Sequence, residues 1–228
     1  MKRRKRAQRE YQEAIKSGDF EEARSKAMQA TGLTKQMFDD AKRLLEYLGI
    51  PVVQAPGEAE AQAAYMAKKG DVWGCNSRDY DSLLFGAPRL VRYLTISAKR
   101  RPEFIELEKT LDKLGLDHRQ LVDMAILMGT DYNEGIYGVG PKTSLKWIRE
   151  YGRIEDLPEE KKDEVTPFYQ RIREIYLDPD KTDEYSTKLR GLREDDLYKF
   201  LCEHRGFPLG RVETAVDRMK NYYDRVEY

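Results

Sequence analysis

The chain has 228 residues, with 41 Lys and Arg balanced by 41 Asp and Glu, so its formal net charge is zero. This excludes a globally basic surface, and any contact with nucleic acid must rest on local patches. A hydrophobic content of 40% suffices for one sizeable domain or a domain with appendages, no apolar run approaches membrane-spanning length, and no signal peptide or internal repeat is visible. Two cysteines, Cys75 and Cys202, are too few for a disulfide framework, and both read as reduced thiols of an intracellular protein.

Met1–Lys16 is helical in composition and basic at its start, with Lys2, Arg3, Arg4, Lys5, Arg6 and Arg9. Taken alone it reads as a solvated terminus or a localisation signal. Ser17-Gly18-Asp19 stops that helix, and Phe20–Gln29 forms a second. Thr34 is a good N-cap for a third over Lys35–Leu48, which Gly49 ends. Pro51–Gln54 reads as a buried strand, Ala59–Lys68 as a short apolar helix, and Val72–Cys75 as a second buried strand. Leu90–Leu94 and Glu103–Leu107 are further strands, with Lys99, Arg100 and Arg101 in the link between them. His118–Met128 is an apolar-faced helix, and His118 reads as a polar residue at its start rather than as a ligand. From Tyr151 onward the chain is helical and highly charged, broken at Leu157-Pro158, Asp178-Pro179-Asp180 and Phe207-Pro208. Glu194–Glu203 and Arg211–Tyr222 are its clearest helices, and its Tyr and Phe residues read as packing rather than as base stackers. Helix followed by strand around residues 59–75 is half of an α/β crossover, and the class is α/β.

Two acid pairs share one short spacing, Glu58/Glu60 where the chain enters the 59–68 helix and Asp79/Asp81 just past the 72–75 strand. In a regular helix residues i and i+2 do not share a face, so Glu58 and Glu60 converge only because Pro56-Gly57 breaks the chain before them. In an extended segment i and i+2 point the same way, which brings Asp79 and Asp81 together. The crevice outside strand C-termini is where open α/β sheets bind ligands. Carboxylates gathered there repel one another, and hard divalent cations such as Mg²⁺ and Mn²⁺, which prefer oxygen ligands, relieve that repulsion. The residues alone also admit two solvated surface pairs.

Gly138-Val139-Gly140 leads directly into a helix with Pro141 at its first position, where proline costs nothing. Glycines there let a phosphate approach, and the helix N–H groups and dipole favour the anion. Lys142 and Lys146 lie one turn apart and can reach the same backbone. A lone Gly-x-Gly is often only a tight turn. Here it follows a helix and a compact loop, giving a helix–hairpin–helix-like unit. Asp131, at the end of the preceding helix, is a plausible fifth carboxylate.

Three blocks in this order and spacing, A-P-G-E-A-E-A-Q-A-A-Y, D-Y-D-S-L-L-F-G and G-T-D-Y-N followed by G-I-Y-G-V-G-P-K, resemble the archaeal branch of the flap structure-specific endonucleases. The likeness runs on through Leu197-Tyr-Lys-Phe-Leu-Cys-Glu and covers nearly the whole chain. It implies a PIN-like 5′ nuclease fold, with a parallel-type central sheet flanked by helices, a helical arch or cap over residues 1–50, and part of the nuclease core over 51–115. A helix–three-turn–helix duplex-binding element over 116–152 and a helical C-terminal part over 153–228 complete it. It also implies two-metal phosphodiester hydrolysis of branched DNA bearing a 5′ flap, in replication and repair, recognised by shape. Glu58, Glu60, Asp79, Asp81 and Asp131 would be the Mg²⁺ ligands, with Mn²⁺ able to substitute. Gly138, Gly140 and Lys142 would grip duplex backbone, with a K⁺ ion possible at that loop, and Arg3 and Arg4 would face phosphate low on the arch.

The resemblance also implies departures. Family members begin with a segment carrying a first strand, two further Asp ligands and the arch Lys and Arg, and they end in a tail that binds the sliding clamp. Both are expected to fall outside this chain, so a complementing N-terminal chain is an expected partner and flap cleavage by the chain alone is not expected. Arg78 stands where many relatives carry Glu or Gln. Cytoplasmic, nucleoid-associated localisation would follow. The alternatives are a DNA-junction-binding module without activity and a metal-dependent nuclease acting on RNA.

Overall fold

The computed structural model describes residues 34–94 and 100–225. The two expected N-terminal helices, with Arg3 and Arg4, and the linker residue Lys99 lie outside the described residues. The chain divides into two compact units, Met1–Val52 with Lys188–Tyr228, and Val53–Thr187. Among the described residues no helix is long and apolar enough to cross a membrane.

The first unit is helical. Helix α1, Lys35–Tyr47, starts where the Thr34 hydroxyl accepts the N–H of Met37 at 3.2 Å. Across the unit, Leu44, Tyr47 and Leu48 pack on the buried Leu197, Val212 and Val216. The main chain adds to this packing, since Arg190 N–H donates to Gly49 O and Arg193 N–H to Tyr47 O, each at 2.8 Å.

The second unit positions the site. In it run α2 (Ala59–Lys69), β1 (Cys75–Asn76), α3 (Asp81–Leu84), β2 (Arg89–Arg92), β3 (Glu103–Glu106), α4 (Leu107–Leu114), α5 (His118–Met128), α6 (Pro141–Tyr151), α7 (Glu159–Lys162) and α8 (Tyr169–Leu177). Helix α2 buries Ala61, Ala64 and Ala67, small side chains that let it lie close to its neighbours. Helix α5 opens with a reciprocal capping box between Asp117 and Gln120 and buries Val122 to Leu127 almost without interruption. Around these helices Leu83, Leu84, Phe85, Leu90, Ile148, Ile172 and Tyr176 form one continuous core.

The described sheet has three strands in the order β1-β2-β3. Strands β1 and β2 are parallel, with Cys75 opposite Leu90, while β2 and β3 are antiparallel, with Arg92 opposite Glu103. The sheet is therefore mixed rather than of the parallel type expected. The link from Tyr93 to Pro102 is too short for a crossover, so β3 returns beside β2 as a hairpin partner. Pro51–Gln54, expected to be a buried strand, has no regular secondary structure and pairs with no described strand, and Val52 is exposed. Strand β1 is also shorter than expected: it begins only at Cys75, and Trp73 before it is largely exposed, with its ring stacked on Phe104.

Candidate active site

The acidic residues come from three segments of the second unit. Glu58 is the extended residue capping α2, and Glu60 lies in the first helical turn. The break at Pro56-Gly57 thus puts two carboxylates at the positive end of the α2 dipole. Asp79 lies in a bend after β1, and Asp81 is the first residue of α3. The expectation that both lie in an extended segment is corrected. The chain turns back after β1 to reach β2, and a single helical turn makes the corner.

Asp131 stands in a tight loop after α5. Thr130 and Asn133 pair through both main-chain bonds, at 2.9 and 3.2 Å, and through Thr130 Oγ1 donating to Asn133 Oδ1 at 2.8 Å. Asn133 Nδ2 donates back to Ile126 O at 2.8 Å. Gly135, at φ +74°, lets this loop fold onto the helix end, since a Cβ there would lie 2.3 Å from the carbonyl carbon of Met128.

Asp81 shows that these segments converge. Burial, and then Glu60, Asp131, Asp79 and Glu58, push its carboxyl above the usual range. Two of these four are held by hydroxyls: Ser77 Oγ donates to Glu60 Oε1, and Tyr132 OH donates to Glu58 Oε1 at 3.2 Å. Among the described residues none of the five carboxylates makes an ion pair, and no three acid, histidine or cysteine side chains close on one point as a ready-made ligand set. The donors are all carboxylate oxygens gathered on a partly buried carboxylate that repels its neighbours, and that chemistry suits a hard divalent cation. The arrangement is open, as mutual repulsion requires.

Three residues of this neighbourhood escaped the sequence reading. Ser77 and Tyr132 are the hydroxyl donors just described. Arg92, on β2, is the third. Its guanidinium donates to Arg78 O at 2.9 Å, pairs with Glu103 at 2.9 Å, and lies 4.0 Å from the Tyr80 ring centre. It thereby ties the 78–80 bend, and with it Asp79, to the sheet. An Arg in a strand next to an acid-bearing bend gives no local sequence signal, because its partners are set by the β2–β3 register. Arg78 itself is exposed. His118, the first residue of α5, directs Nε2 at Leu84 O, 2.8 Å away, and so ties the start of this helix to the end of α3. Cys75 is a free, buried thiol, and burial pushes it up to about 11.

The glycine loop is built separately from the acids. Gly138 holds φ +77°, and Gly140 is the extended residue capping α6, whose first residue is Pro141. A Cβ at either glycine would meet only open space. Lys142 and Lys146 are exposed, and neither forms an ion pair among the described residues.

Residues 49–131 match a family model described as the XPG I-region. The chain is 45% identical over 242 residues to Flap endonuclease 1 of Methanopyrus kandleri, a match covering 96% of this chain and 69% of that protein. Among solved structures it resembles the flap endonuclease-1 from Methanococcus jannaschii, at 44% identity and TM-score 0.77, covering 91% of this chain and 64% of that one. The catalytic core of Rad2 in complex with DNA substrate matches at 25% identity and TM-score 0.72, over 92% of this chain and 74% of that one. The chain spans about two thirds of the length of the curated relatives it matches. Its blocks of acids, its nuclease-type arrangement of helices around a small mixed sheet, and this identity across nearly all its length place the chain in the flap endonuclease 1 family.

Proposed function

We propose that this chain carries the metal-binding and duplex-gripping parts of a structure-specific 5′-flap endonuclease. The observation carrying this reading is Asp81, a partly buried carboxylate repelled by four others from three chain segments, in a chain of this family. Glu58, Glu60, Asp79, Asp81 and Asp131 would hold two Mg²⁺ ions, or Mn²⁺ in their place. Such ions, when bound, supply the Lewis acidity for phosphodiester hydrolysis. Ser77 and Tyr132 hold Glu60 and Glu58 in orientation, and Arg92 fixes the bend that carries Asp79. The open face at Gly138 and Gly140 would accept one strand's phosphates on main-chain N–H groups, Lys142 and Lys146 would add charge, and a K⁺ ion would sit at the same loop. Arg3 and Arg4 would meet phosphate at the base of a helical arch. The substrate is branched DNA with a free 5′ end, recognised through backbone and shape rather than base edges. A segment corresponding to the unmatched parts of the relatives, supplied by a complementing chain, and the sliding clamp are the proposed partners, in the cytoplasm at the nucleoid.

The second reading is a junction-binding module without hydrolysis. The open geometry of the five acids, with no three closed on one point, favours it. One experiment separates the two. A labelled 5′-flap substrate is incubated with the chain alone and with the parts of the Methanopyrus kandleri relative outside the match added, in Mg²⁺, Ca²⁺ or chelator. Cutting at the junction only in Mg²⁺, lost in Asp79→Asn with duplex binding retained, supports the nuclease. Binding without cutting in every arm supports the module. In the same binding assay Lys142→Ala should weaken all duplex sequences alike and lower the salt slope by about one unit. Gly140→Val should weaken binding more while leaving the fold intact, since its φ of −108° suits valine and the new side chain meets only open space.

A further inference from the structure

Tyr137 is the most exposed large apolar or aromatic side chain of the described residues, at 102%, where the next, Phe168, reaches 70%. Among those residues its ring packs on no other ring and its hydroxyl has no hydrogen-bond partner. Other exposed aromatics of this unit are tied down: Trp73 stacks on Phe104, and Tyr80 lies under the Arg92 guanidinium. A ring held wholly in water forgoes the burial that normally stabilises it. The turn beneath it explains why it does not fold inward. Ile136 N–H donates to Leu127 O at 2.9 Å, and Val139 N–H donates to Ile136 O at 3.1 Å. Gly138, third of the four residues so closed, holds φ +77°, while Tyr137 before it has no positive φ, the pattern of a type II turn. Ile136 is buried and Val139 packs against the core, so both flanks are anchored and the corner residue is held outward.

We propose that Tyr137 is a contact residue of the duplex grip: its ring lies against the deoxyribose beside the phosphate taken by Gly138 and Gly140, and adds a non-ionic contact to an otherwise electrostatic one. The inference rests on the duplex-gripping reading above. A DNA strand alternates charged phosphates with apolar sugar faces. Main-chain N–H groups and the exposed Lys142 and Lys146 answer the phosphates. Of the loop's side chains, Ile136 and Val139 face inward and the glycines have none, which leaves Tyr137 for the sugars. Tyrosine suits that place, with an apolar body for the sugar and a polar tip that stays wet. Bases inside a duplex are already stacked and offer the ring no face, so the contact adds affinity without sequence preference. The anchored turn presents the ring ready for use, and contact fixes only two side-chain torsions.

The test compares the 228-residue chain with Tyr137→Ala, Tyr137→Phe and Lys142→Ala. Fluorescence anisotropy follows a labelled duplex DNA in chelator across a salt series. Tyr137→Ala should bind about 10-fold more weakly, the scale of covering roughly 60 Å² of ring. The loss should be the same at every salt concentration, with the salt slope unchanged, because a neutral ring releases no counterions. Tyr137→Phe should keep most of the affinity. Both variants should melt with the parent, since the side chain touches nothing in the fold. Parent-like binding by Tyr137→Ala overturns the inference, and if Lys142→Ala still weakens binding the duplex grip stands without it. A loss that disappears at high salt also overturns it, by making the effect ionic. So does an equal loss in Tyr137→Phe and Tyr137→Ala, which assigns the contact to the hydroxyl, or a lowered melting temperature in Tyr137→Ala, which assigns the ring to the fold. If the parent binds no duplex, the duplex-gripping reading fails and the inference with it.

Discussion

The Val53–Thr187 unit contains two groups of carboxylates that meet opposite fates. Asp123 on α5 and Glu155 in the 3₁₀ turn Ile154–Asp156, just after α6, close on Arg173 of α8. The guanidinium donates to Asp123 at 2.5 and 2.8 Å and to Glu155 at 2.6 and 3.0 Å. Asp123 is fully buried, and Arg173 nearly so. Burial pulls the guanidinium's pKa down, but its bonds to the two carboxylates outweigh that and hold it above the ordinary value. The second group, Glu58, Glu60, Asp79, Asp81 and Asp131, has no such cation among the described residues, and burial, then repulsion from the other four, push Asp81 up instead. Where the chain supplies its own cation, carboxylates become structure. Where it withholds one, the same groups keep an open valence for a cation from solution.

The largest expected effect breaks the first group. Arg173→Leu leaves Asp123 ionised in the core without a partner, and removing one member of a buried pair costs about 3–5 kcal/mol. Urea unfolding should show the loss as an earlier midpoint at unchanged slope. Adding Asp123→Leu should recover most of it, because an apolar pair tolerates burial. If Arg173→Leu alone unfolds at the parent midpoint, Asp123 is not held as a charge, and the contrast between the two groups disappears.

Much of the architecture is legible in the sequence where local chemistry marks an end. Helix α5 begins and ends at the residues read from the chain, His118 and Met128, because Asp117 caps it and Gly129 stops it. Helix α6 begins at Pro141 for the same kind of reason. The acid pairs are legible as pairs, since the break before Glu58 is written in Pro56-Gly57. What could not be read depends on partners distant in the chain. Strand β3 reads as a strand, but its antiparallel course follows from the hairpin it forms with β2. Pro51–Gln54 has the composition of a strand but no described neighbour to bond with. Arg173 looks like one more charge on a charged helix, and its partner Asp123 lies fifty residues away. Tyr176 reads as packing, and its ring does pack, but against Phe85 and Tyr132 from two distant segments that the sequence does not name.

A smaller effect sharpens the first group through pH. Glu155 is held below the usual carboxylate range by its bonds to Arg173, against partial burial. A folded-state pKa below the unfolded one gives stability that is present above the unfolded value and is lost as pH falls through the folded one. Glu155→Gln should therefore cost about 1–2 kcal/mol at neutral pH, and the gap to the parent should close as the solution is acidified below the normal carboxylate range. Asp123 works the other way, because burial raises it and acid relieves its penalty. The parent's own acid limb is the sum of the two, so the difference between parent and Glu155→Gln is the measurement that isolates Glu155. A gap that stays constant from neutral to strongly acid pH would show that its carboxylate is not the charged partner of Arg173.

The smallest expected effect tests the open group and reverses sign with the cation. In chelator, Asp81→Asn removes the carboxylate on which four others act, so it should stabilise the fold by up to about 1 kcal/mol, the scale of one screened charge pair. In the parent chain, Mg²⁺ at ten times its dissociation constant should add about 1.4 kcal/mol by mass action, a rise of a few degrees in melting temperature. The variant should show little of that rise, because Asn offers one neutral oxygen where Asp offers a charged pair. The melting order of the two proteins should therefore invert between chelator and saturating Mg²⁺. Arg173→Leu should show no such inversion, since its lost cation is internal and Mg²⁺ does not reach Asp123. If the parent melts identically with and without tens of millimolar Mg²⁺, the five carboxylates are a solvated surface and the difference between the two groups is one of burial alone.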